Sequence, residues 1–248
     1  MDETTVRVLS MVILLLTLVV VAVPSRRRTW LRRIPAYDMM TSLTGLAIES
    51  NRPLHVSLGS AGIGGTQTLL ALASAELAYY FIERAAVGDV SPLITVSDTS
   101  ALPIAQDALR RAHEAQGLVA NYKATAAHWY PAGSRSIAFA AAITGLMAAE
   151  NISSNVMAGS YGPELALVLN ASQRHGLASV AVSDQLDGQA VAYAMADYPL
   201  IGEEVFVAPS YLDDDPTTSR RAVAIDVLRW LLISAMIVGF GLKVAEGA

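Results

Sequence analysis

The sequence contains no cysteine, which excludes disulfides, thiolate nucleophiles and cysteine-ligated zinc or iron–sulfur centres. Charge is scarce as well. Asp, Glu, Lys and Arg make up 16% of the 248 residues against 53% hydrophobic ones, where an ordinary soluble domain has roughly 25% charged and 45–50% apolar residues. That shortage implies surface that faces lipid. The net charge of −5 leaves no basic face to neutralise phosphates, so nucleic acid is not an expected partner. Histidine is sparse too: His55, His113, His128 and His175 show no H-x-H or H-E-x-x-H spacing, so no zinc motif is present and structural or capping roles are expected.

The apolar excess sits at the two ends. Val8 to Val23 is free of charge and is followed by Arg26, Arg27, Arg28, Arg32 and Arg33. As a helix it covers about 24 Å of a roughly 30 Å hydrocarbon core, with flanking turns or bilayer thinning supplying the rest. In a cleaved signal peptide the basic residues precede the apolar run, the reverse of the order here. A second candidate runs from Trp230 to Leu242, with Arg229 and Trp230 at one boundary and a snorkelling Lys243 at the other. Its bland alternative is a buried helix or an interfacial one lying on the bilayer. Ala235 and Gly239 form a small-xxx-small pair of the kind that lets helices approach closely in lipid. Arginines concentrate on the inner side of both segments, so the positive-inside bias predicts two spans in the cell (inner) membrane with the folded middle in the cytoplasm. Asp213-Asp214-Asp215-Pro216 reads as a solvated turn that starts the second span.

These boundaries give three parts: 1–35, a transmembrane helix with its basic collar; 36–212, the folded domain; and 213–248, the second transmembrane helix. Within the domain a helix is expected from Ala36 to Ser50. Short β-branched-rich runs then alternate with alanine- and leucine-rich helices, the strands being Leu54–Leu58, Leu93–Val96, Ala127–Tyr130, Asn155–Met157 and Ser179–Val182. That alternation predicts an α/β fold, a three-layer Rossmann-like parallel sheet covered on both faces. Gly88, Gly117 and His175-Gly176 read as helix stops, and Pro103 and Pro163 as first-turn prolines. An internal echo supports two β-α-β halves: Val56 to Gly62 resembles Val156 to Gly162, and Thr95 to Asp98 resembles Ala181 to Asp184, in the same order.

Chemistry-bearing constellations are weak. Gly59, Gly62, Gly64 and Gly65 follow the first strand, where a dinucleotide fold places its phosphate loop, but the spacing is G-x-x-G-x-G-G and no P-loop lysine is present. A glycine turn packing strand against helix or neighbouring chain is the stronger reading. Ser160, between Gly159 and Gly162, resembles a nucleophile elbow, yet no histidine follows Asp184 to complete a triad. Asp98 and Asp184, both at strand ends, are candidates for a carboxylate metal site, and turn-forming aspartate is the commoner use. A ligand held at the glycine loop would be lined by Gly59, Ser60, Gly62, Gly64, Gly65, Asp98, Ser160 and Asp184.

The opening Met1 to Ser10, Tyr37-Asp38, Ala47 to Ser50 before Pro53-Leu54-His55, the loop Gly59 to Gly65, Ala101-Leu102-Pro103 with Gln106 to Arg111, Tyr198 to Glu204 and Asp226 to Leu232 together resemble a prokaryotic, membrane-anchored family catalogued only as a domain of unknown function. The resemblance implies the same architecture, terminal membrane helices around a Rossmann-like domain, and carries no activity or catalytic residue. The expected function is therefore structural: a membrane scaffold that self-associates as a homo-oligomer or in a multi-subunit assembly, with the lipid bilayer as partner and neither cofactor nor catalytic activity expected. The alternative is a membrane-tethered nucleotide- or phospholigand-binding module or enzyme using the loop 59–65.

Overall fold

The structure, a computed structural model, describes residues 32–213 together with 229, 230, 233 and 236. The chain divides into two units, one spanning Arg33–Ala208 and one drawn from both ends, Met1–Arg32 with Pro209–Ala248.

The first unit opens with α1 (Pro35–Asp38) and α2 (Met40–Ser50), the helical stretch expected from Ala36 broken by a turn at Met39. Then come β1 (Leu54–Gly59), α3 (Thr68–Ala85), β2 (Leu93–Val96), α4 (Leu102–Ala115), β3 (Ala127–Trp129), α5 (Ile137–Ala149), β4 (Ser154–Ser160), α6 (Leu165–Arg174), β5 (Ala178–Val182), α7 (Leu186–Met195) and β6 (Tyr198–Pro199). A 3₁₀ stretch, Gly202–Val207, leads into α8 (Ala208–Leu212). The six strands form one parallel sheet in the order β3-β2-β1-β4-β5-β6. Right-handed crossovers put α3 and α4 on one face and α5, α6 and α7 on the other. The packing of α3 on α4, and of α6 on both α5 and α7, agrees with that arrangement.

Residue choice explains the layers. β1, β2 and β4 are buried along their whole length, as strands covered on both faces must be. Ala71, Ala75, Ala78 and Ala85 on α3, and Ala105, Ala108 and Ala112 on α4, are all buried; these small residues recur at helical spacing and let the two helices lie close together. Phe81, Leu77, Ile82 and Leu109 fill the remaining space, each stabilising the fold by about 1.5–3 kcal/mol through burial.

One polar row crosses this apolar interior. The His55 imidazole lies between Asn155 Oδ1, 2.6 Å from Nδ1, and Thr95 Oγ1, 2.9 Å from Nε2. Asn155 Nδ2 in turn donates to Ser172 Oγ at 2.9 Å. The row ties β2, β1, β4 and α6 together and gives each buried polar group a partner. Burial pushes the His55 pKa down to about 4, against a smaller upward pull from the Asn155 hydrogen bond and a further downward push from His128.

Several sequence expectations change in detail. β4 continues to Ser160 instead of ending at Met157, and β1 extends to Gly59, because the two strands pair with each other there. β3 stops at Trp129. β6, two residues including Pro199, had no sequence signal. Gly117 and Gly176 take the left-handed conformation of helix stops, with φ of 69° and 65°. Gly88 does not take it, and its amide donates to the Ala85 carbonyl at 3.1 Å. Pro103 stands in the first turn of α4, whereas Pro163 precedes α6 by a turn.

In the second unit the Tyr211 hydroxyl donates to the Arg32 carbonyl at 2.6 Å, so the end of the N-terminal segment and the start of the C-terminal one adjoin. Arg229 and Trp230 are helical and exposed. No helix among the described residues is long and apolar enough to cross a membrane. Val8–Val23, Arg26, Arg27, Arg28, Ala235, Gly239, Lys243 and most of Trp230–Leu242 lie outside the described residues. Arg33, expected at the membrane interface, forms an exposed ion pair with Asp38 at 2.6 Å.

Candidate functional site

The strand order reverses between β1 and β4, and that is where an open α/β sheet forms a crevice at its carboxyl edge. The two echoing segments of the sequence turn out to be these central strands, with Val56 opposite Val156 and Gly59 opposite Ser160. Register shifts between Ser57 and Gly59 against both β2 and β4, an irregularity of the kind that re-aims side chains at a sheet edge.

The strands approach so closely here that only glycine fits. A Cβ on Gly159 would stand 1.9 Å from the Leu58 carbonyl oxygen, and one on Gly59 would stand 2.5 Å from the Ser160 carbonyl oxygen; Gly59 also has φ +61°. Gly62 seats Asp98, whose Oδ2 lies 2.5 Å from where its Cβ would be. By contrast, nothing lies within 4 Å of a Cβ on Gly64 or Gly65. The first two glycines of the loop serve packing; the last two lie open.

Around the crevice the side chains close on one another. Ser160 Oγ, on a buried residue, accepts from Gln67 Nε2 at 2.7 Å and from Gln185 Nε2 at 3.0 Å. Gln67 Nε2 also reaches Asp184 Oδ2 at 3.4 Å. Ser60 donates its amide and its hydroxyl to the Ser160 carbonyl, both at 3.1 Å. Below them the buried Tyr161 hydroxyl donates to the Ser57 carbonyl at 2.9 Å, and burial raises its pKa. Ser183 Oγ receives the Tyr161 amide at 3.0 Å and the Gln185 amide at 3.1 Å.

The loop amides, which a phosphate would need, are largely engaged by the protein itself. The Ile63 amide donates to Ser100 Oγ at 2.8 Å, the Gly64 amide to Thr68 Oγ1 at 3.0 Å and the Ala61 amide to the Leu58 carbonyl at 3.3 Å. Asp98 Oδ1 accepts from Ser100 at both its amide (2.8 Å) and its hydroxyl (2.6 Å), capping the 3₁₀ turn Thr99–Ala101. Asp98 thus fixes Ser100, and Ser100 fixes the loop. The charged side chains named at this crevice, Asp98 and Asp184, are both acids and repel a phosphate.

The sequence-predicted residues therefore separate. Ser60, Ser160 and Asp184 meet at the crevice. Asp98 follows β2, three strands away from β5 in the sheet order, and its carboxylate is engaged by Ser100. No cluster of three or more His, Cys, Asp or Glu residues able to hold a metal occurs among the described residues. Gln67 and Gln185, each immediately before a helix that follows a strand, were not anticipated; their position at helix starts beside the crevice was the available signal.

A family model described as Domain of unknown function (DUF6754) matches residues 1–248. The chain belongs to this family. No curated protein and no solved structure matches it. Membership in DUF6754 thus accompanies an α/β body with a six-stranded parallel sheet flanked by helices, without assigning it a reaction.

Proposed function

We propose that this DUF6754 protein is a membrane-anchored structural component that self-associates into a larger membrane assembly. The observation that carries the proposal is the filled crevice. At the place where this fold elsewhere opens a ligand site, Gln67 and Gln185 occupy Ser160, and the Ser60, Ala61, Ile63 and Gly64 amides bond within the protein. Ser160, the nucleophile candidate, has two amide donors on its oxygen and no histidine hydrogen-bonded to it among the described residues. Conserving energy in a closed, self-satisfied network fits a rigid building block better than a site that must open to substrate.

Anchoring rests on the charge-free run Val8–Val23 and on Trp230–Leu242, with their inner arginines. The hydrogen bond from Tyr211 to Arg32 supports two segments that enter the bilayer side by side. On this reading the body Arg33–Ala208 is cytoplasmic. Size exclusion with light scattering on the full chain in mild detergent tests the proposal: species of several copies are expected, and monomers alone at micromolar concentration refute it.

A further inference from the structure

The body joins the rest of the chain at two residues, Arg33 where it begins and Ala208 where it ends. Those residues lie close together. The hydroxyl of Tyr37 on α1, just after Arg33, donates to the carbonyl of Glu204, just before Ala208. Leu200, which follows β6, donates its amide to Ala181 of β5 at 2.9 Å, and Gln67, immediately before α3, reaches Asp184 beyond the end of β5 at 3.4 Å. The stretch Gly202–Val207 packs on α3 as well. The first turn of α3 and the final segment of the body therefore share one corner at the carboxyl edge of the sheet.

Large apolar side chains are exposed at this corner. Leu69, in the first turn of α3, is 73% exposed, and Leu72, one turn on, is exposed too, as are Ile201 and Phe206 on the segment that ends the body. Two acids near the chain ends are engaged locally: Glu204 accepts the Ile201 amide at 2.7 Å, and Asp38 pairs with Arg33. Asp184 and Asp187 stay exposed, so anionic headgroups would not draw the corner in. What can cover the patch follows from the tether. If Val8–Val23 spans a bilayer, only residues 24 to 32 join that span to Arg33. Fully extended they reach about 35 Å, and they pull on this corner of the body.

We propose that this corner rests on the bilayer, with Leu69, Leu72, Ile201 and Phe206 buried among neutral lipid headgroups. This rests on the anchoring reading and adds to it a contact between body and membrane. Exposed apolar side chains beside a membrane anchor bind lipid by the area they remove from water. Two tethers that leave from one place would otherwise let the body swing; the apolar contact fixes its tilt and sets which face it turns to the cytoplasm.

The chain has no cysteine, so a single nitroxide label can be placed by Leu69→Cys, by Phe206→Cys and, as a control, by Val119→Cys in the connection between α4 and β3. All three residues are exposed, and each variant should keep the wild-type melting temperature. The full chain is reconstituted in phosphatidylcholine nanodiscs and its labels are read by electron paramagnetic resonance. Collisions with oxygen are expected to exceed those with a water-soluble nickel chelate several-fold at positions 69 and 206, and the reverse at 119. Chelate access at 69 and 206 equal to that at 119, in chains that co-elute with the discs, overturns the contact and leaves anchoring standing. Labels at the corner that broaden one another until unlabelled chain is added reveal a second copy there and overturn lipid as the occupant. A chain that does not enter the discs overturns both readings.

Discussion

Substituting Gly159 by alanine separates a packing role for the crevice glycines from a ligand role. The added Cβ would stand 1.9 Å from the Leu58 oxygen, 2.3 Å from its carbonyl carbon and 3.0 Å from its Cα. All three are backbone atoms of the neighbouring central strand, held by pairing on both sides of β1. No side chain can rotate away, so β1 and β4 must move apart at the centre of the sheet. Overpacking typically costs 1–3 kcal/mol where side chains can yield; with rigid backbone on both sides we expect about 4 kcal/mol, at the edge of what single substitutions reach. For a body of this size that lowers the melting temperature by about 8–16 °C. Gly65→Ala is the control, because its Cβ meets nothing within 4 Å and its cost should stay within about 0.5 kcal/mol. Thermal unfolding of the full chain in detergent, followed by near-ultraviolet circular dichroism, reads both. A Gly159→Ala protein that melts within 2 or 3 °C of wild type, or a Gly65→Ala protein as damaged as Gly159→Ala, would refute the reasoning that strand approach dictates the glycines.

Three further outcomes follow from the same interior. His55 is buried with a folded pKa of about 4 against 6.5 when unfolded. The unfolded chain therefore takes up the proton first, and stability present above pH 6.5 falls by about 3 kcal/mol as pH drops toward 4; urea midpoints should track that decline, and His55→Gln should flatten it. Ser74 on α3 is buried, and its hydroxyl has no hydrogen-bond partner among the described residues, so Ser74→Ala is expected to stabilise by about 1 kcal/mol in the same assay. Tyr161 is buried, its phenol is pushed up by that burial, and its hydroxyl is bonded to Ser57; ultraviolet titration should find it silent until the protein unfolds in alkali, and Tyr161→Phe should cost about 1 kcal/mol.

The order of strands and helices was legible because buried parallel strands are written as short β-branched runs between alanine-rich helices. What escaped depended on partners distant in sequence. Ala158, Gly159 and Ser160 have little strand preference of their own, and they join β4 because Leu58 and Gly59 lie alongside. Tyr198–Pro199 is too short, and its proline too unfavourable, to read as a strand before β5 offers it an edge. At the crevice the small polar residues at strand ends, Ser60, Ser160 and Asp184, were visible as such. Gln67 and Gln185 were not, since their role arises when two helix starts 118 positions apart converge on one serine hydroxyl. Asp98 was correctly a strand-end turn residue, but its grip on Ser100, and through it on the glycine loop, is a product of tertiary placement.

Imaging single particles of the purified full chain in lipid nanodiscs tests the central claim most directly. The account predicts particles of several copies on one bilayer patch, each contributing a six-stranded body. Bodies that stand singly, each on its own disc and without a neighbour, would contradict it.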